Sequence, residues 1–308
     1  MKILIMGAGG VGAYYGAKLQ QAGEDVTLCA RGDNLRALKA DGLAVKSYLG
    51  DFHVKVNATV EPREFAPFDL ILFAVKSYDT EPAARQLDGC LAPDGILMTI
   101  QNGVENEEIL CRFFPRECVM GGNSRIGADM AAPGQLNHTA LGVIEFGELD
   151  GVETPRARRL KELFERAGIY GTLTTDLKTL RWYKLMGNNS TNSVSALTHT
   201  TLGAMLDDPA GYDLVRKLML ETLAVGRAEG AKVVDERADL QLQQIRQINA
   251  HAIKTSTLQD LEKGKPLEYE AISGAVVRAA QRHRVSVPAT ETVYALLKLL
   301  ESTRRKRA

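Results

Sequence analysis

The first half of the chain alternates short apolar runs with longer amphipathic segments. Four apolar runs have the length of buried strands and start at residues 2, 25, 69 and 95: KILIM, DVTLCA, DLILFAV and GILMTI. Helix-like segments lie between them, namely VGAYYGAKLQQAG, which ends at Gly23, LRALKADG and TEPAARQLDG. Strands that are apolar on both faces and alternate with helices predict a parallel sheet covered by helices.

The pattern changes after about residue 175, where helical spacing of apolar side chains continues along the chain. Pro209 and Pro288 stand directly before helical runs, and Gly230 ends one. We therefore expect an α/β protein with an N-terminal parallel-sheet domain over residues 1–175 and an all-α domain over residues 176–308. Before the change, residues 117–148 combine glycines with alternation, which predicts strands and a loop toward one sheet edge.

A glycine-rich turn, GAGGVG, joins the first predicted strand to the first predicted helix. Gly7 suits the tight turn, Gly9 lets a pyrophosphate approach the backbone, and Gly12 permits close helix–strand contact. The backbone N–H groups and the helix dipole would face the phosphates. A plain strand-to-helix turn is the alternative, but the surrounding pattern favours a Rossmann-type dinucleotide-binding domain. The residues expected to contact the cofactor are Gly7, Ala8, Gly9, Gly10, Val11 and Gly12.

The end of the second predicted strand distinguishes the two nicotinamide cofactors. An acidic residue there bonds the ribose 2′-hydroxyl of NAD, whereas an arginine accommodates the 2′-phosphate of NADP. The segment TLCARGDN places Arg31 at this position, and a planar guanidinium suits a phosphate dianion. Asp33 stands two residues further on, and a surface arginine at a strand end is the alternative interpretation. We expect NADP(H) rather than NAD(H).

Polar residues also follow the two other apolar strands. Lys76 comes just after the strand that starts at residue 69, and Gln101, Asn102 and Gly103 follow the next one. Ligands of open α/β sheets lie outside the carboxyl ends of the strands, so these side chains are expected to reach cofactor or substrate. A turn-forming Asn-Gly pair is the competing interpretation for Asn102.

The segment RWYKLMGNNSTN places Lys184, Asn188 and Asn192 four residues apart. On a helix these side chains would form one strip. Buried polar groups need partners, so the strip favours a wet cleft over a core. A lysine ammonium is protonated at neutral pH and can give a proton to the oxygen of a ketone during its reduction. The alternative is a snorkelling lysine beside two solvated amides.

Composition and charge exclude several classes of function. The chain has 38 basic and 38 acidic residues, so no basic field attracts nucleic acid or an anionic membrane. No run approaches the roughly 20 apolar residues of a membrane span. The four cysteines lack zinc-ligand spacing and the five histidines are scattered, so no metal site is expected. The N-terminal apolar run is too short for a signal peptide, and we expect a cytoplasmic protein, a monomer or a homodimer. The tail TRRKRA is expected to be a solvated helix end.

Six segments resemble the ketopantoate (2-dehydropantoate) reductase family in order and spacing. They are GAGGVG, AVKSY, QNGVEN, RWYKLMGNNSTN, TSTLQDLEKGKPLEYEAISG and VSVPATETVYALLK. The resemblance covers essentially the whole chain. It implies a Rossmann domain, a helical domain, and NADPH-dependent reduction of a small 2-keto acid, 2-dehydropantoate, to (R)-pantoate for pantothenate and coenzyme A synthesis.

The resemblance also implies roles for substrate-binding and catalytic residues. Lys184 matches the catalytic lysine, the general acid that protonates the new alkoxide. Asn188 and Asn192 match substrate-orienting amides on the same helix, and Ser256 matches a serine that holds the substrate carboxylate. Glu268 matches a glutamate beside the cofactor and the substrate hydroxyls, and the family places it near the lysine, where it would keep the ammonium charged.

Other positions carry implied cofactor contacts. Asn102 resembles the residue that contacts the nicotinamide and the substrate, and Lys76 resembles one near the cofactor. Gly127 stands roughly where a backbone contact to the cofactor is expected. Glu270 replaces Glu268 if the register shifts by two residues, and a salt bridge is the structural alternative for this carboxylate. The segment ALTHTTLGAML matches the family poorly and receives no site residue.

Two other functions remain open at this point. The first is reduction of a different small 2-keto acid by the same chemistry. The second is a non-catalytic NADP(H)-binding sensor on the same fold. A sensor has no reason to retain Lys184 together with Glu268, which favours the enzyme.

Overall fold

A computed structural model describes residues 1–305, apart from the side chain of Arg305. The last three residues of the tail TRRKRA therefore lie outside the described residues. Contacts divide the chain into two compact units. The sheet unit comprises Met1–Gln101 and Asn106–Leu177, and the helical unit comprises Asn102–Glu105 and the residues from Lys178 onward.

The sheet unit contains one mixed sheet. Its strands within residues 1–305 are β1 (Lys2–Met6), β2 (Asp25–Cys29), β3 (Leu43–Ser47), β4 (Phe52–Val54), β5 (Asn57–Thr59), β6 (Phe68–Phe73), β7 (Leu91–Thr99), β8 (Val119–Ala132), β9 (Gln135–Glu148) and β10 (Tyr170–Leu173). Their order is β4-β3-β9-β8-β7-β6-β1-β2-β5, with β10 beside β9. The pairs β3–β4 and β8–β9 are antiparallel, and the pairs from β8 through to β5 are parallel. The predicted α/β class with a parallel-dominated sheet is confirmed.

Helices cover both faces of this sheet, which explains why its central strands are apolar on both sides. They are α1 (Gly10–Gln21), α2 (Gly32–Asp41), α3 (Thr80–Gln86), α4 (Asn106–Leu110) and α5 (Pro155–Arg166). Ile3 and Ile5 of β1 belong to the core under α1 and α5, whereas Leu4 and Met6 belong to the core under α3 and α4. Short 3-10 segments complete the unit at Pro62–Phe65, Ser77–Asp79 and Arg116–Cys118.

The segment 117–148 forms strands toward the β4 edge of the sheet, as the alternation predicts, but it does not form the edge itself. It forms β8 and β9, two antiparallel strands of 14 residues each. β9 is not the edge of the sheet, because β3 pairs with its first half and β10 with its second half. Local alternation could not reveal this, since both outer partners come from distant parts of the chain.

The helical unit consists of helices joined by short connections. Within the described residues they are α6 (Leu177–Gly187), α7 (Ser193–Thr198), α8 (Leu202–Asp207), α9 (Pro209–Ala228), α10 (Glu236–Arg246), α11 (Ser256–Glu262), α12 (Ala275–His283) and α13 (Pro288–Arg305), with a 3-10 segment at Ala250–Ala252. Two π-helical turns interrupt them, the first π-turn at Asn188–Asn192 and the second π-turn at Glu270–Gly274. No helix up to residue 305 combines the length and the apolar character that a bilayer crossing requires.

A buried carboxylate fixes the start of the last helix. Glu221 of α9 is 9% exposed and accepts hydrogen bonds from the backbone N–H groups of Ala289 and Thr290 at 3.0 and 2.8 Å. These N–H groups lie in the first turn of α13, directly after Pro288, where a helix has no partners of its own for them. Glu221 therefore replaces a local cap and joins α9 to α13.

Candidate active site

The glycine-rich turn between β1 and α1 has the geometry that a dinucleotide requires. Gly7 has φ +106°, and a Cβ on it would lie 2.8 Å from the backbone nitrogen of Val75. A Cβ on Gly12 would lie 2.2 Å from the carbonyl oxygen of Gly7. A Cβ on Gly9, in contrast, would meet no described atom within 4 Å. Gly7 thus forms the tight turn, Gly12 permits the close helix–strand contact, and Gly9 leaves the backbone open. This turn fits a pyrophosphate.

Asn34 holds this turn from outside the glycine motif. Its Nδ2 donates to the carbonyl oxygen of Ala8 at 3.1 Å, and its Oδ1 accepts from the backbone N–H of Gly134 at 3.0 Å. The N–H of Ala8 donates to the carbonyl oxygen of Cys29 at 3.0 Å. Asn34 therefore links the glycine turn to the connection between β8 and β9. Sequence reasoning missed it, because an asparagine near a helix start is usually explained by capping.

β8 passes close to the same turn. A Cβ on Gly10 would lie 2.4 Å from the carbonyl oxygen of Ala128, so glycine is needed where the two backbones approach. Gly127, the predicted backbone contact to the cofactor, precedes Ala128 on β8. The structure therefore brings the neighbourhood of Gly127 to the glycine turn.

Arg31 is exposed and takes the N-cap position of α2 in an extended conformation. The positive end of the α2 dipole lies at the same place. The nearby carboxylate of Asp33 forms an ion pair with Arg36. The acidic residue that could have favoured an NAD ribose is thus engaged by a guanidinium, whereas Arg31 faces solvent.

The polar side chains that follow β6 and β7 differ in burial and in their contacts. Lys76 is half-buried directly before the 3-10 segment that follows β6. Gln101, at the end of β7, is 5% exposed and donates from Nε2 to the carbonyl oxygen of Val75 at 3.0 Å and to Thr80 Oγ1 at 2.9 Å. The side chain of Gln101 therefore fixes the backbone next to Lys76. Its amide hydrogens are bonded to groups of the sheet unit, so this side chain has a structural role.

The next four residues, Asn102–Glu105, leave the sheet unit and cluster with the helical unit. Gly103 has φ +105°, so the Asn-Gly pair does form a turn. The carbonyl oxygen of Gly103 accepts a hydrogen bond from Arg181 Nη1 at 2.9 Å, and Val104 packs on the helical core. Asn102 is half-buried at the start of this loop.

Lys184, Asn188 and Asn192 lie on one continuous helical segment, but this segment is not a uniform α-helix. Lys184 is half-buried in the last turn of α6, and the two asparagines are the first and last residues of the first π-turn. Residues four apart in an α-helix overshoot one turn by roughly 40°. A π-turn is closed by i→i+5 bonds and holds more residues, which corrects the drift. The π-turn therefore keeps the three side chains closer to one line than an α-helix would.

Hydroxyl side chains explain why the wide turn forms here. Ser190 Oγ donates to the carbonyl oxygen of Met186 at 2.7 Å, and Thr191 Oγ1 donates to the carbonyl oxygen of Gly187 at 2.8 Å. Such bonds supply partners for carbonyl groups and loosen the regular helical ladder. The pattern NNSTN inside a helical segment is the signal that sequence reasoning did not use.

Asn192 connects two other predicted substrate residues. It is 8% exposed, and its Nδ2 donates to Asn188 Oδ1 and to Ser256 Oγ, both at 3.3 Å. Ser256 is exposed at the start of α11, where Thr255 caps the helix by accepting from the N–H of Leu258. The structure therefore brings Asn188, Asn192 and Ser256 together in one hydrogen-bonded series.

The two candidate glutamates have distinct environments. Glu270 accepts hydrogen bonds from Arg278 Nη1 at 3.1 Å and from Tyr294 at 3.0 Å, and half of its side chain is exposed. Glu268 is 7% exposed. A salt bridge thus accounts for Glu270, while Glu268 is the buried carboxylate, which favours the original register.

The two π-turns are joined to each other. Ser193, directly after the first, and Ser273, within the second, are buried and share a hydrogen bond of 3.1 Å. π-turns are rare and are frequent at functional sites. The first lies within the resembling segment RWYKLMGNNSTN, at Asn188–Asn192, and the second within TSTLQDLEKGKPLEYEAISG, at Glu270–Gly274.

Two family models match the chain in succession. The model described as "Ketopantoate reductase PanE/ApbA" matches residues 3–151, and the model described as "Ketopantoate reductase PanE/ApbA C terminal" matches residues 176–301. A curated relative from Archaeoglobus fulgidus, named 2-dehydropantoate 2-reductase, is 32% identical over 302 residues, which cover 98% of each protein.

Solved structures of similar proteins have the same fold. The 2-dehydropantoate 2-reductase of Geobacter metallireducens is 33% identical with a TM-score of 0.93, and the match covers 97% of this chain and 100% of that protein. D-mandelate dehydrogenase, solved with NADH and anilino(oxo)acetate, has a TM-score of 0.93 at 21% identity and covers 99% of this chain and 100% of that protein. This second likeness concerns the fold alone.

Proposed function

This chain belongs to the ketopantoate reductase family, and we propose that it reduces 2-dehydropantoate to (R)-pantoate with NADPH, for pantothenate and coenzyme A synthesis. The observation that carries this proposal is the hydrogen-bonded series Asn188, Asn192 and Ser256, which extends the line begun by Lys184. A small 2-keto acid with hydroxyl and carboxylate groups needs such neutral donors and acceptors near a proton donor.

Most of the residues that would hold NADPH lie on the sheet unit, and Asn102 belongs to the helical unit. The open backbone at Gly9 suits the pyrophosphate, and the exposed guanidinium of Arg31 at the start of α2 suits the 2′-phosphate. Asp33 forms an exposed ion pair with Arg36, which screens part of its charge from that phosphate. Lys76 and Gly127 are proposed as further cofactor contacts, and Asn102 as a contact to both cofactor and substrate. When bound, the cofactor supplies the hydride.

The protein residues supply the proton and the orientation. As the carbonyl carbon gains an electron pair, its oxygen becomes an alkoxide, and we assign the proton donor to the ammonium of Lys184. A general acid contributes roughly 10²- to 10⁴-fold to the rate. The buried carboxylate of Glu268 is assigned to keeping that ammonium charged and to binding the substrate hydroxyl. Ser256 and Asn188 would bind the polar groups of the substrate.

We also propose that the protein acts in the cytoplasm. Its four cysteines are free thiols, which suits a reducing compartment. Burial raises the pKa of the Cys29 thiol to about 11, as expected for a structural residue. We expect the protein to function as a monomer or a homodimer.

A direct assay tests the substrate and the cofactor together. NADPH absorbance is followed with purified protein against 2-dehydropantoate and a short panel of other 2-oxo acids, and each reaction is repeated with NADH. The proposal predicts the highest kcat/KM for 2-dehydropantoate with NADPH. A higher kcat/KM for another 2-oxo acid would assign the same chemistry to that acid. Binding of NADPH without turnover of any acid would favour the sensor.

A further inference from the structure

One guanidinium joins the loop that carries Asn102 to the second π-turn. Arg278 of α12 contacts the carboxylate of Glu105 with two nitrogens, Nη2 at 2.6 Å and Nε at 3.3 Å. The same guanidinium donates from Nη1 to Glu270 Oε2 at 3.1 Å and from Nη2 to the Glu270 carbonyl oxygen at 2.8 Å. A forked contact of this kind fixes direction as well as distance.

The partner carboxylate is itself held in place. Tyr294 of α13 donates to Glu270 Oε1 at 3.0 Å, and Glu270 opens the second π-turn two residues after Glu268. Arg278 therefore lies between two segments that carry proposed site residues, Asn102 on one side and Glu268 on the other. Arg181 holds the same loop at the Gly103 carbonyl oxygen.

Stability is a poor explanation for this arrangement. The side chains of Arg278 and Glu105 are 41% and 31% exposed, and ion pairs of this exposure contribute little to folding. Arg216 and Asp239 form a comparable pair between α9 and α10, with contacts of 2.6 and 3.0 Å and exposures of 41% and 44%. No proposed site residue lies on a loop held by that second pair, which makes it a matched control.

We propose that Arg278 is a positioning residue for Asn102: its pairing with Glu105 fixes the Asn102–Glu105 loop on the helical unit and so sets the direction of the Asn102 amide. This inference rests on the proposed function, because it assumes that Asn102 contacts the reacting groups. It assigns to Arg278 and Glu105 a role that acts through the loop. Misplacement of a reacting group by about 1 Å costs up to about 100-fold in rate.

The test combines single and double variants in the full-length protein. Arg278→Gln and Glu105→Gln are each expected to lower kcat/KM for 2-dehydropantoate about 10- to 100-fold. Asn102→Ala is expected to lower it as well. If Arg278 acts through Asn102, the double variant Arg278→Gln/Asn102→Ala is no slower than Asn102→Ala alone. Arg216→Gln is expected to leave kcat/KM unchanged.

A second measurement does not depend on turnover. Amide hydrogen exchange of the peptide that contains Asn102–Glu105, in the cofactor-free protein, is expected to quicken in Arg278→Gln and to stay unchanged in Arg216→Gln. The positioning role would be overturned if the double variant lost kcat/KM by the product of the two single losses, or if Arg216→Gln lost as much kcat/KM as Arg278→Gln. Unchanged hydrogen exchange in Arg278→Gln would also overturn it. A wild-type protein that reduces no 2-oxo acid would instead refute the proposed function, while the exchange result would still report on the loop.

Discussion

Asn192 offers the sharpest prediction about substrate binding, because its amide bonds two other proposed substrate residues, Asn188 and Ser256. Replacing it with alanine removes the donors to Asn188 Oδ1 and Ser256 Oγ, both at 3.3 Å. These distances slightly exceed the usual upper limit of about 3.2 Å, so we assign each bond the lower part of the usual contribution, about 0.5–1 kcal/mol. Loss of both amounts to about 1–2 kcal/mol, or about a 5- to 30-fold change in an equilibrium constant.

We expect this change to fall on substrate binding. With Asn188 and Ser256 released, the KM for 2-dehydropantoate in Asn192→Ala should rise about 5- to 30-fold, while the affinity for NADPH stays the same. Initial rates at varied keto acid give the KM, and a fluorescence titration gives the NADPH affinity. The stability lost, about 1–3 kcal/mol, is small enough for the variant to fold.

Asn189 provides the matched control. It lies in the same π-turn, is 0% exposed, and donates from Nδ2 to Thr222 Oγ1 at 2.8 Å and Thr290 Oγ1 at 3.4 Å. Asn189→Ala should therefore lose stability with an unchanged KM. An unchanged KM in Asn192→Ala, or an equal rise in both variants, would refute the positioning role of Asn192.

Three further predictions concern the sheet unit. Arg31→Ala should weaken NADPH binding about 10- to 100-fold and leave NADH binding unchanged, and equal effects in titrations of both cofactors would contradict the assignment. Gly9→Ala should weaken NADPH binding without lowering the melting temperature. Gly12→Ala should lower the melting temperature, because the added Cβ would lie 2.2 Å from the carbonyl oxygen of Gly7. Equal melting temperatures of the two variants would contradict this distinction. Burial lowers the pKa of His138 below its ordinary 6.5, so its contribution to the unfolding free energy is complete above pH 6.5 and is lost as the pH falls toward the lowered pKa. Denaturant titrations of wild type and His138→Gln across this range should show a steeper loss in wild type, and parallel curves would disprove it.

Much of the sheet unit follows from sequence because its signals are local. The apolar strand at residues 2–6 and the glycine turn after it are recognisable from neighbouring residues alone, and both occur where predicted. The pairing of β9 with β3 and β10 cannot be recognised from neighbouring residues. It depends on pairing between segments that are far apart in the chain.

The candidate site shows the same limit. The spacing of Lys184, Asn188 and Asn192 predicted a strip, but the π-turn that shapes it depends on hydroxyl-to-carbonyl bonds from Ser190 and Thr191. The contacts of the Asn102 loop with the helical unit include the pair of Arg278 and Glu105, which are 173 residues apart in the chain. Periodicity carries no information about a contact of that separation.

We propose Lys184 as the proton donor for the substrate oxygen, and the turnover of Lys184→Ala shows whether it has this role. Lys178 lies on the same helix, and its Nζ donates to the carbonyl oxygen of Glu229 at 3.1 Å, so Lys178→Ala is the control. With NADPH and 2-dehydropantoate, kcat should fall about 10²- to 10⁴-fold in Lys184→Ala and stay near wild type in Lys178→Ala. A Lys184→Ala protein that turns over at the wild-type rate would contradict the account.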